Sequence, residues 1–432
     1  MQHNRLHRFW ITLAAVGLWV LTGCSKPPQW SSHSASSKAI ELTLTTWGSR
    51  EELTLLQSQL EGFHRRYPDI RVAVKPIPES YLAKLQLLAI SDALPDVLLI
   101  NSWYLPRLAY YHLIQPLPSQ PRSLWADFYP VARQALSYQQ QPFALPRDLS
   151  ALGVVVNLDL LNRYGLSAPP PHWQLNQMEA MGQQLMARTQ PITPRIYPIS
   201  FYREPPLYWL PWIWIQGGRL MASAQQPLGQ PATCLALHES RSVEALARYM
   251  QWTATGMAPA KRAIAQTTMT QLFLQQRLAF LVTGRWSVPL LRQQATFRWG
   301  IWPIPQGPYG SITGIDASGY ALSRTTRYPR QALLLMKYLT SAPVLSAQAQ
   351  AGLMIPARKT VAHNQLQHEP TFLAMIATGQ PTQSSPHWPA IETTLSRTLA
   401  PFWDPPPHQA PQTHALQHAL KQVYATTCAE GS

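Results

Sequence analysis

Residues 40–63 read IELTLTTWGSREELTLLQSQLEGF, and the fold turns on how that stretch is divided. Its opening eight residues alternate and are rich in β-branched side chains, which predicts a strand over 40–47. Ser49-Arg50-Glu51-Glu52 then has the form of a capping box, and Leu53, Leu56, Leu60 and Phe63 follow at helical spacing. A helix therefore starts at that point, and Pro68 ends it. Working outward, IRVAVKPI (70–77) reads as a second strand and YLAKLQLLAIS (81–91) as a helix with Leu82, Leu85 and Leu88 on one face. PDVLLI (95–100) is a short, continuous apolar run, as expected of a strand buried on both faces. Strand, helix, strand, helix, strand is the doubly wound α/β pattern, with ligands bound beyond the carboxyl ends of the strands. Those ends are TTWGSR (45–50) and INSWYL (100–105).

Further along, FALPRD (143–148) is an extended piece broken by Pro146, and LGVVVN (152–157) is the next strand. A helix over 176–189, an aromatic block YWLPWIWIQGG (208–218) and a helix over 242–256 follow. After these come LAFLVTGRW (278–286), a Pro-punctuated return strand in 298–310, the strand ASGYALS (317–323), a helix over 328–341 and a helical tail near 414–424. A chain of 432 residues exceeds what one hydrophobic core usually serves, so two lobes are expected.

The amino terminus carries an address. MQHNRLHR has Arg5 and Arg8 and no acid, and the apolar run from Phe9 to Leu21 is about 13 residues where a membrane span needs about 20. SKPPQWSSHSASSKA then turns polar, which is the layout of a secretory signal. Net charge is +15, yet the basic residues are scattered and no zinc-finger, helix-turn-helix or RNA-recognition signature accompanies them. Nucleic acid is therefore not an expected partner; a basic exported surface near anionic lipid or cell wall is. Cys234 and Cys428 are free to pair in an oxidising compartment or to remain two buried thiols, and spacing does not choose between these.

The order of landmarks resembles that of family 1 extracellular solute-binding proteins of ABC importers, the maltose and multiple-sugar type. The matching phrases include FHRRYPDIRV (63–72), LPDVLLI (94–100), RLAYYHLIQPL (107–117), FALPRDLSALGVVVNLDLLNRYGLSAPPPHW (143–173), IWIQGGRLM (213–221), FRWGIWPIPQGPYG (297–310) and GLMIPAR (352–358). Leu21-Thr22-Gly23-Cys24 resembles a bacterial lipobox, which implies cleavage after residue 23 and acylation of Cys24, with palmitate-type chains holding the protein to the membrane by a tether over 24–39. The resemblance implies a type II periplasmic-binding fold: one lobe of residues 40–145 and 305–343, another of 146–304 and 344–432, closing on a solute held between them. It further implies a monomer without cofactor or metal that delivers its solute to permease subunits.

Carbohydrate recognition needs flat apolar faces against sugar rings and planar polar groups for hydroxyls. The aromatic candidates are Trp47, Trp103, Trp209, Trp212 and Trp286, the last matching the family's ligand-stacking Trp on a cleft loop. The polar candidates are Ser49 and Arg50 after the first strand, Asn101 and Ser102 after the third, Asp148 at the lobe crossing, Asp316 before the return strand and Arg358 in IPAR. Asp96 in PDV is expected to hold a turn instead. Three other readings compete: an anionic solute clamped by Arg50, Arg147 and Arg358, a ligand-sensing partner of a receptor, and an exported carbohydrate-active enzyme. The last lacks any local catalytic template, since H-E-x-x-H, G-x-S-x-G, P-loop and C-x-x-C are all missing. His414 and His418 stand at metal-capable spacing but have no third ligand in sequence.

Overall fold

A computed structural model describes residues 39–222, 234–261, 267–352, 354–366, 369–382, 384–404 and 412–429. The signal peptide, Cys24 and the tether through residue 38 lie outside the described residues. From Ala39 onward the chain forms one compact unit.

The opening stretch folds as its pattern dictates. Strand β1 is Ile40–Thr46, and the helix Arg50–Arg66 begins with Ser49 as its N-cap, closing a reciprocal capping box with Glu52. The helix buries Leu56, Leu60 and Phe63 against Ala332, Leu335 and Met336 of the helix Pro329–Leu339. Strand β2 (Ile70–Pro76) pairs in parallel with β1, and β3 (Val97–Asn101) pairs in parallel with its other side. Asp96 locks the entry to β3: its carboxylate accepts from the Thr43 amide and hydroxyl at 2.8 Å each and from the Thr326 hydroxyl at 2.6 Å.

The remaining long strands are β4 (Ala144–Asn157), β5 (Tyr197–Ile199), β6 (Leu278–Gly284), β7 (Trp299–Trp302) and β8 (Gly314–Ser323). One sheet runs in the order β2-β1-β3-β8-β4-β6-β5, with β8 antiparallel to both of its neighbours. The sequence led us to expect a break at Pro146, but β4 is continuous for 14 residues. The register with β8 shifts between Ser318 and Gly319: Arg147 is the extra residue of the bulge, and Pro146, which cannot donate, sits next to it opposite Gly319. Gly319 is needed at that point, since a Cβ would lie 2.5 Å from the Leu145 carbonyl oxygen. Strand β4 pairs with β8 up to Ala151 and with β6 from Leu152, so one rigid strand carries two sets of neighbours.

Packing follows the same division. One cluster gathers Leu42, Leu44, Val97 and Leu99 under the helices just named. A larger one gathers Trp173, Trp209, Trp212, Tyr249, Trp252 and Trp403 around the helices Leu175–Thr189, Ser240–Ala254 and Thr413–Ala429. Cys234 and Cys428 form a disulfide with Cα atoms 4.9 Å apart, fastening the end of the last helix to a loop 194 residues earlier. Closing so long a loop lowers unfolded-chain entropy by the equivalent of about 5 kcal/mol. Among the described residues no helix is long and apolar enough to cross a membrane.

Candidate functional site

A cavity of ≈ 270 Å³ opens beyond the carboxyl end of β3. One wall is Asn101, Trp103, Tyr104 and Asp316; the other is the turn Pro205–Leu207 together with Trp388 and Glu392. The first wall is built by pinning the loop after β3 onto β8. The Ser102 amide donates to the Ala317 carbonyl at 2.8 Å, and the Tyr104 amide donates to Asn101 Oδ1 at 3.1 Å. That turn brings the Ser102 hydroxyl onto the Asp316 carboxylate, to which it donates. Facing it, the helix Trp388–Leu399 buries Trp388 in the core together with Ile391, Leu395 and Leu399, and at its first turns Trp388 and Glu392 border the cavity at the edge of that core. The Trp103 and Trp388 rings meet with centroids 4.9 Å apart at 45°, and the Ser384 hydroxyl holds the Trp103 carbonyl at 3.0 Å.

The electrostatics of this cavity are those of crowded acids. The Asp316 carboxyl is enclosed by protein yet partly accessible from the cavity; burial, aided by Asp148 and opposed by the Ser102 hydrogen bond, pushes it up to about 7. Glu392 is likewise raised, by burial first and by Glu204 second, against a hydrogen bond from Trp388. Burial also raises the Tyr104 phenol, with Asp316 and Glu392 adding to the effect. A pair of partly desolvated carboxyls beside two indoles is suited to accepting hydrogen bonds from a solute whose apolar faces lie on the rings.

The sequence candidates divide into groups. Asn101, Trp103 and Asp316 line the cavity, and Ser102 supports Asp316 from behind. Trp47 stands one ring further back, edge-on to Tyr81 at 4.9 Å, while Tyr81 is stacked on Tyr104 at 6.4 Å. Ser49 spends its hydroxyl on the helix cap, and Arg50 is exposed on the first turn. Asp148 is buried in a pair with Arg147, whose charge it sustains although burial opposes it. Arg358 donates to the Thr340 carbonyl at 2.7 Å and to Asp127 at 3.2 Å, and lies over the Phe128 ring. Trp209 and Trp212 are each 1 % exposed, the former donating to the Arg203 carbonyl and the latter edge-on to Trp252. Trp286 is 40 % exposed and rests over Gly284, where a Cβ would come within 1.9 Å of its ring.

Tyr104, Pro205, Pro206, Leu207, Trp388 and Glu392 were not legible as wall residues. The periodicity of WPAIETTL marks an amphipathic helix, but nothing local says that its first turn borders open space. His418 meets Gln422 at 3.2 Å, and among the described residues no group of three His, Cys, Asp or Glu could hold a metal ion.

The family model described as bacterial extracellular solute-binding protein matches residues 59–374, well over half of the chain. The chain belongs to that family. Membership implies an exported solute-binding protein, whose known relatives bind rather than transform. An uncharacterized protein from the bglA 3' region of Thermotoga maritima is 39% identical over 67 residues, 15% of this chain and 68% of that one. Among solved structures, an ABC substrate-binding protein from Listeria monocytogenes in complex with cycloalternan has a TM-score of 0.76 at 18% identity, covering 90% of this chain and 99% of that one. Maltose-bound MalE3 of T. maritima has a TM-score of 0.72 at 18% identity, covering 91% and 100%. The cyclic α-maltosyl-1,6-maltose binding protein of Arthrobacter globiformis has a TM-score of 0.75 at 14% identity, covering 90% and 99%. At these identities the likeness is one of fold: the α/β architecture is the one these sugar-binding proteins share.

Proposed function

We propose that this protein is the substrate-binding lipoprotein of an ABC importer and captures a sugar, a short oligosaccharide or a polyol glycoside without transforming it. The supporting observation is the cavity that sets Trp103 and Trp388 beside Asp316, Asn101 and Glu392, apolar faces next to hydrogen-bond acceptors. Its ≈ 270 Å³ stands near the lower end of small-molecule sites, about 300–1,000 Å³, and suits one or two sugar rings. The halves 40–145 with 305–343 and 146–304 with 344–432 close on the solute, and Trp286, exposed on the loop after β6, supplies a further stacking face. Cys24 carries the acyl anchor on the outer side of the membrane, and the permease receives the solute from a monomeric binding subunit.

Thermal-shift titration of the mature protein against a panel of mono- and oligosaccharides tests the binding claim. A rise in melting temperature for at least one sugar, lost in Trp103→Ala, is expected because a ligand that binds only the native state stabilises it. No shift with any sugar contradicts the reading. Deleting the gene and following uptake of the best ligand separates transport from sensing. Radiolabelled fatty acid should enter the wild type and not Cys24→Ser; label in the mutant rules that acceptor out.

One observation favours a second reading, since Asp316 and Glu392 both border the cavity and glycoside hydrolysis uses two carboxyls. Release of smaller sugars from an incubated oligosaccharide would support it.

A further inference from the structure

We propose that the solute carries a protonated amine, making it an amino sugar or an amino-substituted glycoside rather than a neutral one. The inference rests on the carbohydrate reading above and sharpens it. Among the described residues lining the cavity, the charged side chains are Asp316 and Glu392, both acidic; no lysine, arginine or histidine lines it. Just outside, Glu204 adds negative charge beside Glu392, and Asp148 adds it beside Asp316.

Three guanidiniums on neighbouring elements are committed elsewhere, and Arg397, on the helix that carries Trp388 and Glu392, is exposed and does not line the cavity. Arg147 is paired with Asp148, and Arg203 with Asp404. Arg107 donates to the Pro386 carbonyl at 3.0 Å and lies 4.8 Å from the Tyr111 ring centroid. The arginines that would clamp an anion, Arg50, Arg147 and Arg358, do not border the space at all. This matters because the chain as a whole has a net charge of +15, so an acid-only cavity runs against the general balance of the protein.

The physics favours a cation. Each of the two carboxyls loses hydration when ionised and is repelled by a neighbouring acid, Asp316 by Asp148 and Glu392 by Glu204. A neutral sugar supplies hydroxyl donors but no charge, so it leaves both costs in place. An ammonium supplies up to three donors and a positive charge, relieving the repulsion and forming charge-assisted hydrogen bonds. The indoles of Trp103 and Trp388 add to this, because an aromatic face attracts a cation. Anions are disfavoured by the same argument with the sign reversed.

Isothermal titration of the mature wild-type protein with matched pairs tests the proposal: glucose against glucosamine, galactose against galactosamine, and N-acetylated chitobiose against its deacetylated form. At neutral pH the amine should bind at least tenfold more tightly than its partner in one or more pairs. Raising the salt concentration should shrink that ratio. Glu392→Gln and Asp316→Asn should each reduce the ratio, with melting curves confirming that the variants fold. Equal or tighter binding of the neutral member in every pair that binds overturns the amine preference and leaves the carbohydrate reading standing. A failure of all members to bind, neutral and amine alike, overturns the carbohydrate reading and the preference with it.

Discussion

Two regions of the molecule are rich in tryptophan and do opposite work. In the segment ending in the short helix Leu210–Trp214, Trp209 and Trp212 are sealed among Trp252 and Trp403, and the Trp209 indole NH is satisfied by a main-chain carbonyl. At the cavity, Trp388 is nearly as buried at 6 % exposed, yet with Trp103 it borders open space shared with Asn101, Asp316 and Glu392. Burial alone therefore does not separate a packing indole from one available to a solute. What separates them is the company of hydrogen-bonding groups across a void.

The largest effect that could break this contrast is in the core. Trp212→Ala should destabilise the protein by about 3–5 kcal/mol, as large core truncations do, and chemical denaturation would measure it. A variant with unaltered stability would mean that the aromatic block is not structural.

A second effect sharpens the cavity side. Asp316 has a folded-state value of about 7 against an ordinary 3.8, so the native state holds a proton that the unfolded chain has released. Native stability should therefore fall as pH rises from about 4 to about 7, by an amount of order 4 kcal/mol at most from this group. Asp316→Asn should flatten that fall, which urea midpoints at stepped pH would register. An equally steep decline in the variant would remove Asp316 as its source.

Third, Trp286→Ala should weaken solute affinity more than tenfold, about 1.4 kcal/mol or more, while the unliganded melting temperature changes little. Its exposure makes that combination possible where Trp212 could not show it. A collapsed unliganded variant would move Trp286 to the structural group. The smallest effect concerns Ser49, whose hydroxyl accepts from the Glu52 amide at 3.3 Å. Ser49→Ala should cost about 1 kcal/mol of stability and leave affinity unaltered; lost affinity at constant stability would return Ser49 to the binding residues.

Sequence patterns conveyed what is local. The capping box at Ser49, the alternation of β1, the apolar run of β3 and the turn at Asp96 all depend on neighbours within a few residues or on one strand pair, and each is where its pattern placed it. The continuity of β4 across Pro146 was not legible, because the bulge that tolerates it depends on Gly319, far along the chain. The site was half legible for the same reason. Asn101, Trp103 and Asp316 follow from the rule that ligands meet strand ends, whereas Trp388 and Glu392 border the cavity only because the first turns of their helix reach the edge of the core beside the distant residues 101–104 and 205–207. Asp148 and Arg358 were indistinguishable from contact residues until their partners, Arg147 and Asp127, were in view.

The most direct test is a crystal structure of the mature protein grown with the best ligand from the sugar panel. The account predicts solute density in the cavity, packed against the touching Trp103 and Trp388 rings, with a polar group within hydrogen-bond reach of Asp316 or Glu392. Solute bound elsewhere, with this space left empty, would contradict it.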